Sequence, residues 1–205
     1  MTPYNQEHAI QRMNTLAKNG KDFVFIINYK ADCAYVEETA AVDPSELLFS
    51  FPALGNIPKD ETSIAGPVEW YTEPPSRADY ERRISLVKQR EREGDSYLAN
   101  LTCRIPVRTN FSLHDIFMRS KALYRCWLKD RFVCFSPEIF VRINGEGVVS
   151  SFPMKGTIDA TRPEAEMELM ENRKEAAEHA TIVDLIRNDL SMIAEKVQVK
   201  RYRYV

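Results

Sequence analysis

The sequence predicts an α+β fold that combines antiparallel β structure with helices. Three observations lead there. From Tyr97 to Val107 apolar and polar residues alternate with period two, the pattern of a strand with one buried face. Arg131–Phe135 and Ile139–Ile143 are two further β-rich runs around Ser136-Pro137-Glu138, and Asn144-Gly145 turns the chain back toward Val148-Val149, which is hairpin connectivity. Two charged stretches, Ser76–Glu93 and Thr161–Ala194, repeat their apolar residues every three or four positions and are predicted as helices.

Composition permits a substantial core. The chain has 205 residues, 44% hydrophobic and 28% charged, which suits one large domain or a part of a larger one. A formal charge of -2 with both signs interspersed carries no polyanion-binding signature, so no nucleic-acid partner is expected. No membrane association is expected either: there is no run of about 18 apolar residues, and the start, Met1 to His8, lacks the basic and apolar regions of a signal peptide. A cytoplasmic protein is therefore expected. Cys33, Cys103, Cys126 and Cys134 have no Cys-x-x-Cys pairing and are read as buried or free thiols.

Along the chain, Phe23–Tyr29 reads as a buried strand, and the Pro- and Gly-punctuated residues Pro44–Pro75 read as a linker or variable loop. Residues 1–75 are accordingly taken as an N-terminal β-rich segment with its linker, and 76–205 as the portion that carries the chemistry. Ser76 caps a surface helix whose apolar residues Tyr80, Ile84 and Val87 fall at i, i+4 and i+7, and Gly94 stops it. On the alternating stretch, Asn100, Thr102 and Arg104 form a polar face that either meets solvent or bears a ligand. A short helix follows around Leu113–Ser120. The last long helix begins at Thr161, with Glu164 three residues on as in a capping box, and runs to about Ala194, with Asn188 or Ser191 as possible breaks.

Two clusters carry candidate chemistry. Lys155 sits in Pro153-Met154-Lys155-Gly156-Thr157, where proline fixes one side and glycine admits a conformation or close approach closed to other residues. A lysine so constrained is either a nucleophile or an ordinary exposed turn residue. In the last helix, Ile182, Leu185, Ile186 and Ile193 form an apolar stripe that continues backwards as Glu178, Glu175 and Glu171. Such a carboxylate row binds a divalent cation, Mg²⁺ being favoured by all-oxygen ligands, or else forms a solvated face in which Lys174 pairs with Glu178 and Glu171.

Lys155 and Glu178 occur within four ordered motifs that resemble those of the chorismate-binding enzymes, most closely the aminodeoxychorismate synthase component I family. Gly94-Asp95-Ser96-Tyr97-Leu98-Ala99-Asn100-Leu101 is similar to the family's Gly-Asp-x-Tyr-Gln-x-Asn-Leu, and Ser136-Pro137-Glu138 to its Ser-Pro-Glu-Arg-Phe, with Ile139 in place of the arginine. Pro153 to Thr157 resembles its Pro-Ile-Lys-Gly-Thr. Ala177 to Leu190, with Glu178, His179, Asp184, Arg187, Asn188 and Asp189, resembles its Ala-Glu-(His/Asn)-x-Met-Ile-Val-Asp-Leu-x-Arg-Asn-Asp helix. The resemblance covers roughly residues 76–205. The family continues with a Thr-Gly-(Ala/Ser)-Pro-Lys turn and a second glutamate pair, so the fold is expected to be incomplete at the C-terminus, half of its metal site and pocket lying outside this chain.

The resemblance implies amination of chorismate at C4. Lys155 is the implied nucleophile and Glu138 the implied general acid; Gly156 and Thr157 are implied to contact the substrate, and Glu175 and Glu178 to hold Mg²⁺. Anthranilate synthases resemble this pattern but carry alanine in place of Lys155. Isochorismate and salicylate synthases place a water-activating lysine where this chain has Leu98, and leucine cannot serve as a base. The implied partners are chorismate, ammonia and a glutamine amidotransferase subunit, since no Gly-x-Cys-x-Gly nucleophile motif occurs here. The alternatives are anthranilate synthase component I and a catalytically inactive chorismate-binding fragment or interaction module.

Overall fold

The computed structural model describes residues 1–58, 66–96, 99–153 and 156–205. It is an α+β molecule of antiparallel sheets and helices that divides into two compact units, Met1–Lys121 with Arg125–Cys134, and Ala122–Tyr124 with Phe135–Val205. The 75/76 boundary drawn from the sequence lies inside the first unit.

The first unit begins with β1 (Pro3–Tyr4) and α1 (Gln6–Lys18), a helix the sequence reading did not predict. Its signals are local: Asn5 accepts from the His8 amide at 2.9 Å, Glu7 lies in the first turn and Lys18 in the last. Ala9 and Leu16 on one face pack with Ala34 and Val36. β2 (Phe23–Ile27) and β3 (Ala34–Glu38) complete a three-stranded sheet of order β1-β3-β2. β2 is therefore an edge, and Phe25 and Ile27 stay exposed where a fully buried strand was expected.

β4 (Leu47–Phe51) lies inside the segment read as a linker, yet it is the best-buried strand. Between Pro44 and Pro52 the three consecutive apolar residues Leu47, Leu48 and Phe49 are the mark of a strand covered on both faces. Leu47 and Phe49 join Val24, Val42, Cys126 and Leu128 in one cluster, while Leu48 points the other way to Phe117 and Trp127. Asn56 secures this strand, accepting from the Phe49 amide at 2.9 Å and donating to the Leu47 carbonyl at 2.8 Å. After β5 (Leu54–Gly55) come β6 (Trp70–Thr72) and the predicted helix α2 (Arg77–Glu93), with Ser76 as N-cap and Gly94 left-handed at φ 86°. No α2 side chain is buried.

The long alternating strand is not formed over its described residues 99–106. Leu101 and Cys103 are half-buried, but Ala99, Ile105 and Val107 are exposed along with Asn100, Thr102 and Arg104, so the alternation in burial is confined to 100–104, and residues 99–106 are irregular. Only β7 (Val107–Thr109) pairs, with β6. Period two makes one face apolar; a ladder also requires a partner, and none flanks 99–106 among the described residues. α3 (Leu113–Arg119) has a full capping box between Ser112 and Asp115. β8 (Tyr124–Leu128), which the sequence reading did not single out, and β9 (Phe132–Ser136) close a sheet of order β5-β4-β8-β9, with Phe49 opposite Cys126.

In the second unit, β10 (Arg142–Ile143) and β11 (Val149–Ser150) pair through the predicted Asn144 turn, where Asn144 Oδ1 accepts from the Val148 amide at 2.9 Å. The expected strand Ile139–Ile143 shrinks to β10, with Phe140 exposed. The single long helix is corrected to two, α4 (Ala165–Glu171) and α5 (Arg173–Ser191). Thr161 bonds to Asp159 and caps neither; the break is at Asn172, whose extended ψ of 112° ends α4 and whose side chain caps α5. No helix among the described residues is long and apolar enough to cross a membrane.

Candidate active site

Three segments of the second unit converge. After β9, Ser136 Oγ donates to the Glu138 carbonyl at 2.6 Å and accepts from its amide at 3.3 Å, folding Ser136-Pro137-Glu138 into a tight turn with the Glu138 side chain exposed. Downstream, the β10–β11 hairpin delivers the chain to Phe152, Pro153 and Gly156. Gly156 has φ 77°, and a Cβ there would stand 2.8 Å from Leu169 Cδ1 and 2.9 Å from Glu175 Oε2. Only glycine meets both the conformation and the close approach. Glu175 lies in the first turn of α5, its amide donating to the capping Asn172 Oδ1 at 3.1 Å; a carboxylate is favoured there by the helix dipole.

Glu138, Gly156 and Glu175 all line one cavity of about 520 Å³. Pro153, Phe152 and Ile139 give it apolar walls, and His179 and Arg203 add polar groups. His179 stands one turn beyond Glu175, edge-on to Tyr202 at 5.1 Å, and faces a second cavity of about 240 Å³ as well. Its partial burial, and secondarily the positive Arg203, hold the imidazole below its ordinary pKa. Arg203 donates through Nη2 to the Leu169 carbonyl at 3.2 Å. Neither His179, named only as a member of the helix motif, nor Arg203 was assigned a role from the sequence. His179 had a signal in its i+4 spacing from Glu175; Arg203, inside Tyr202-Arg203-Tyr204, had none.

The other predicted residues fall elsewhere. Lys155 and Leu98 lie outside the described residues. Thr157 is exposed and is not among the described residues lining the cavity. Glu178 is half-buried and pairs with Lys174 at 3.5 Å, the charged-face arrangement anticipated for it. Glu171 belongs to α4, so the three-carboxylate row is broken at Asn172, and Leu185 and Ile193 are exposed, off the half-buried stripe of Glu175, Glu178, Ile182, Ile186 and Leu190. Arg187 pairs with Asp184 at 3.5 Å. Among the described residues no group of three or more His, Cys, Asp or Glu side chains is placed to hold a metal ion. Two half-buried carboxylates one helical turn apart do fit Mg²⁺ as a partial donor set, since this ion commonly takes one or two carboxylates and completes its shell with water and substrate oxygens.

The sequence profile described as chorismate binding enzyme matches residues 4–205. An uncharacterized PabA-like protein of Pasteurella multocida is 41% identical over 199 residues, covering 97% of this chain and 61% of that protein. The anthranilate synthase component 1 of Acetivibrio thermocellus is 32% identical over 63% of this chain and 29% of its own length. A probable chloroplastic aminodeoxychorismate synthase of Oryza sativa is 31% identical over 58% of this chain and 15% of its own. No solved structure matches the chain. The chain thus spans about 61% of the length of its PabA-like relative.

Proposed function

We propose, for a chain that belongs to the chorismate binding enzyme family, that the cavity of the second unit receives chorismate and that Lys155 and Glu138 take part in its amination at C4. The observation that carries this reading is the convergence of Glu138, Gly156 and Glu175, from three separate segments, on one cavity, with Lys155 the residue preceding Gly156.

Lys155, unprotonated, forms a bond from its amine nitrogen to C2 of the ring while the C4–oxygen bond breaks. Glu138 gives its proton to the departing oxygen, which leaves as water. Ammonia then bonds to C4, the C2–nitrogen bond returns its electrons to Lys155, and 4-amino-4-deoxychorismate is released. Gly156 lets the turn lie against Glu175, and the apolar walls exclude water from the ring. Glu175 and Glu178 would hold Mg²⁺, which when bound neutralises a substrate carboxylate and stabilises charge moving through the ring. Ammonia comes from a glutamine amidotransferase partner. The similarity to an anthranilate synthase component 1 supports a second reading, amination at C2.

The test follows product identity from chorismate, ammonium and Mg²⁺ with the complete protein encoded by the reading frame. Aminodeoxychorismate is expected, and Lys155→Ala abolishes or diverts it. Anthranilate as the product would establish the second reading, and unaltered aminodeoxychorismate synthesis by Lys155→Ala would remove the lysine from the mechanism.

A further inference from the structure

The carboxylate of Glu175 lines a cavity proposed to receive a substrate that is itself a dianion. Like charges brought together in a partly dehydrated space repel strongly, so the ligand needs a cation on the wall. Among the described residues lining this cavity, Arg203 is the one Lys or Arg. It is half-buried, and its backbone sits in the left-handed region at φ 46°. One of its five N–H donors goes to the Leu169 carbonyl at 3.2 Å, in the last turn of α4. That bond fixes the planar group at the wall. No carboxylate pairs with Arg203 among the described residues, whereas Arg77, Arg82 and Arg90 on the exposed helix α2 each have one. A half-buried guanidinium, held in place by a neutral carbonyl and lacking a described counter-charge, is suited to a planar anion from outside.

We infer that Arg203 binds a carboxylate of the ligand and sets the selectivity of the cavity for the acid over its neutral analogues. This rests on the proposed function, and deepens it by naming the residue that recognises the substrate's charge. Arg203 has a positioning effect as well, because the Leu169 it holds abuts Gly156; a test must separate the two.

Calorimetric titration of the wild type, Arg203→Lys and Arg203→Gln with chorismate and with its dimethyl ester, in magnesium-free buffer, does so, with thermal melts to establish that each variant is folded. Arg203→Gln should lose chorismate affinity about 10- to 100-fold, the range for a hydrogen-bonded charged contact, and Arg203→Lys less. The weaker affinity for the ester should stay the same in all three. Equal losses for acid and ester would show that Arg203 acts only by holding Leu169, and unchanged affinity for both would remove it from the site; either result overturns the inference and leaves the functional reading standing. A wild type that binds no chorismate either in this buffer or with Mg²⁺ restored overturns the functional reading and the inference with it.

Discussion

Thirteen of the buried apolar side chains lie in the first unit, whereas the second, which carries the candidate site, buries only Ala165 to the same degree among its described residues. In the first, β4 and β8 are covered on both faces, and Phe49 and Phe117 are almost wholly excluded from solvent. In the second, Phe140, Ile143, Met192 and Ile193 are all exposed. Burial of apolar area is the main source of folding free energy, so cohesion resides in one unit and the chemical groups in the other. Sites that must admit a ligand and rearrange around it are commonly drawn from the less cohesive parts of a protein.

That contrast can be broken most directly at the core. Phe49→Ala should cost about 3–5 kcal/mol, as should Phe117→Ala, read from denaturant unfolding by the fluorescence of the buried Trp127. A loss below about 1 kcal/mol would mean that the first unit is not the cohesive one. Gly156→Ala sharpens the contrast from the other side. Its left-handed φ of 77° costs a Cβ-bearing residue about 1–2 kcal/mol, and the approach to Leu169 and Glu175 adds to this. Chorismate binding should be lost while the Trp127 transition stays in place; a shift as large as that of Phe49→Ala would erase the distinction. Asn172→Ala removes the cap of α5 at a cost of about 1 kcal/mol, visible as faster amide exchange confined to that helix.

A pH effect should follow from His179. Its imidazole is held below the ordinary value, mainly by burial, so the unfolded chain takes the proton more readily. The stability it contributes is whole above the unfolded pKa and is lost as the pH falls through the lowered folded one. Exchange in α5 should therefore quicken on acidification, and His179→Gln should abolish that dependence; an identical profile in the variant would refute the assignment. The smallest effect belongs to Lys174→Ala, at about 0.3–0.5 kcal/mol for an exposed i,i+4 pair, measured as helix fraying by circular dichroism.

Local signals were the legible ones. Ser76 and Gly94 bound α2 because capping depends on neighbours a few residues away, and Asn144 marks its turn for the same reason. β4 was obscured because its flanking prolines read as loop punctuation, while burial on both faces leaves no periodicity to detect. The alternation of Tyr97 to Val107 was real but was taken for a ladder, which depends on a partner strand that a sequence does not display. At the site, Glu138 and Gly156 stood out by their motifs and Glu175 by its place in the carboxylate row. Their meeting at one cavity, and the arrival of Arg203 there, depend on the path of the chain between them.

The burial of Cys126 supplies a clock for the molecule. Enclosed between Phe49 and Leu128 on the sheet, its thiol is pushed up to about 12, chiefly by desolvation, so at neutral pH it presents almost no nucleophile to an alkylating reagent. In a variant whose other three cysteines are replaced by serine, every labelling event at Cys126 records one opening of the four-stranded sheet. Its rate then reports how often the first unit exposes its interior under native conditions.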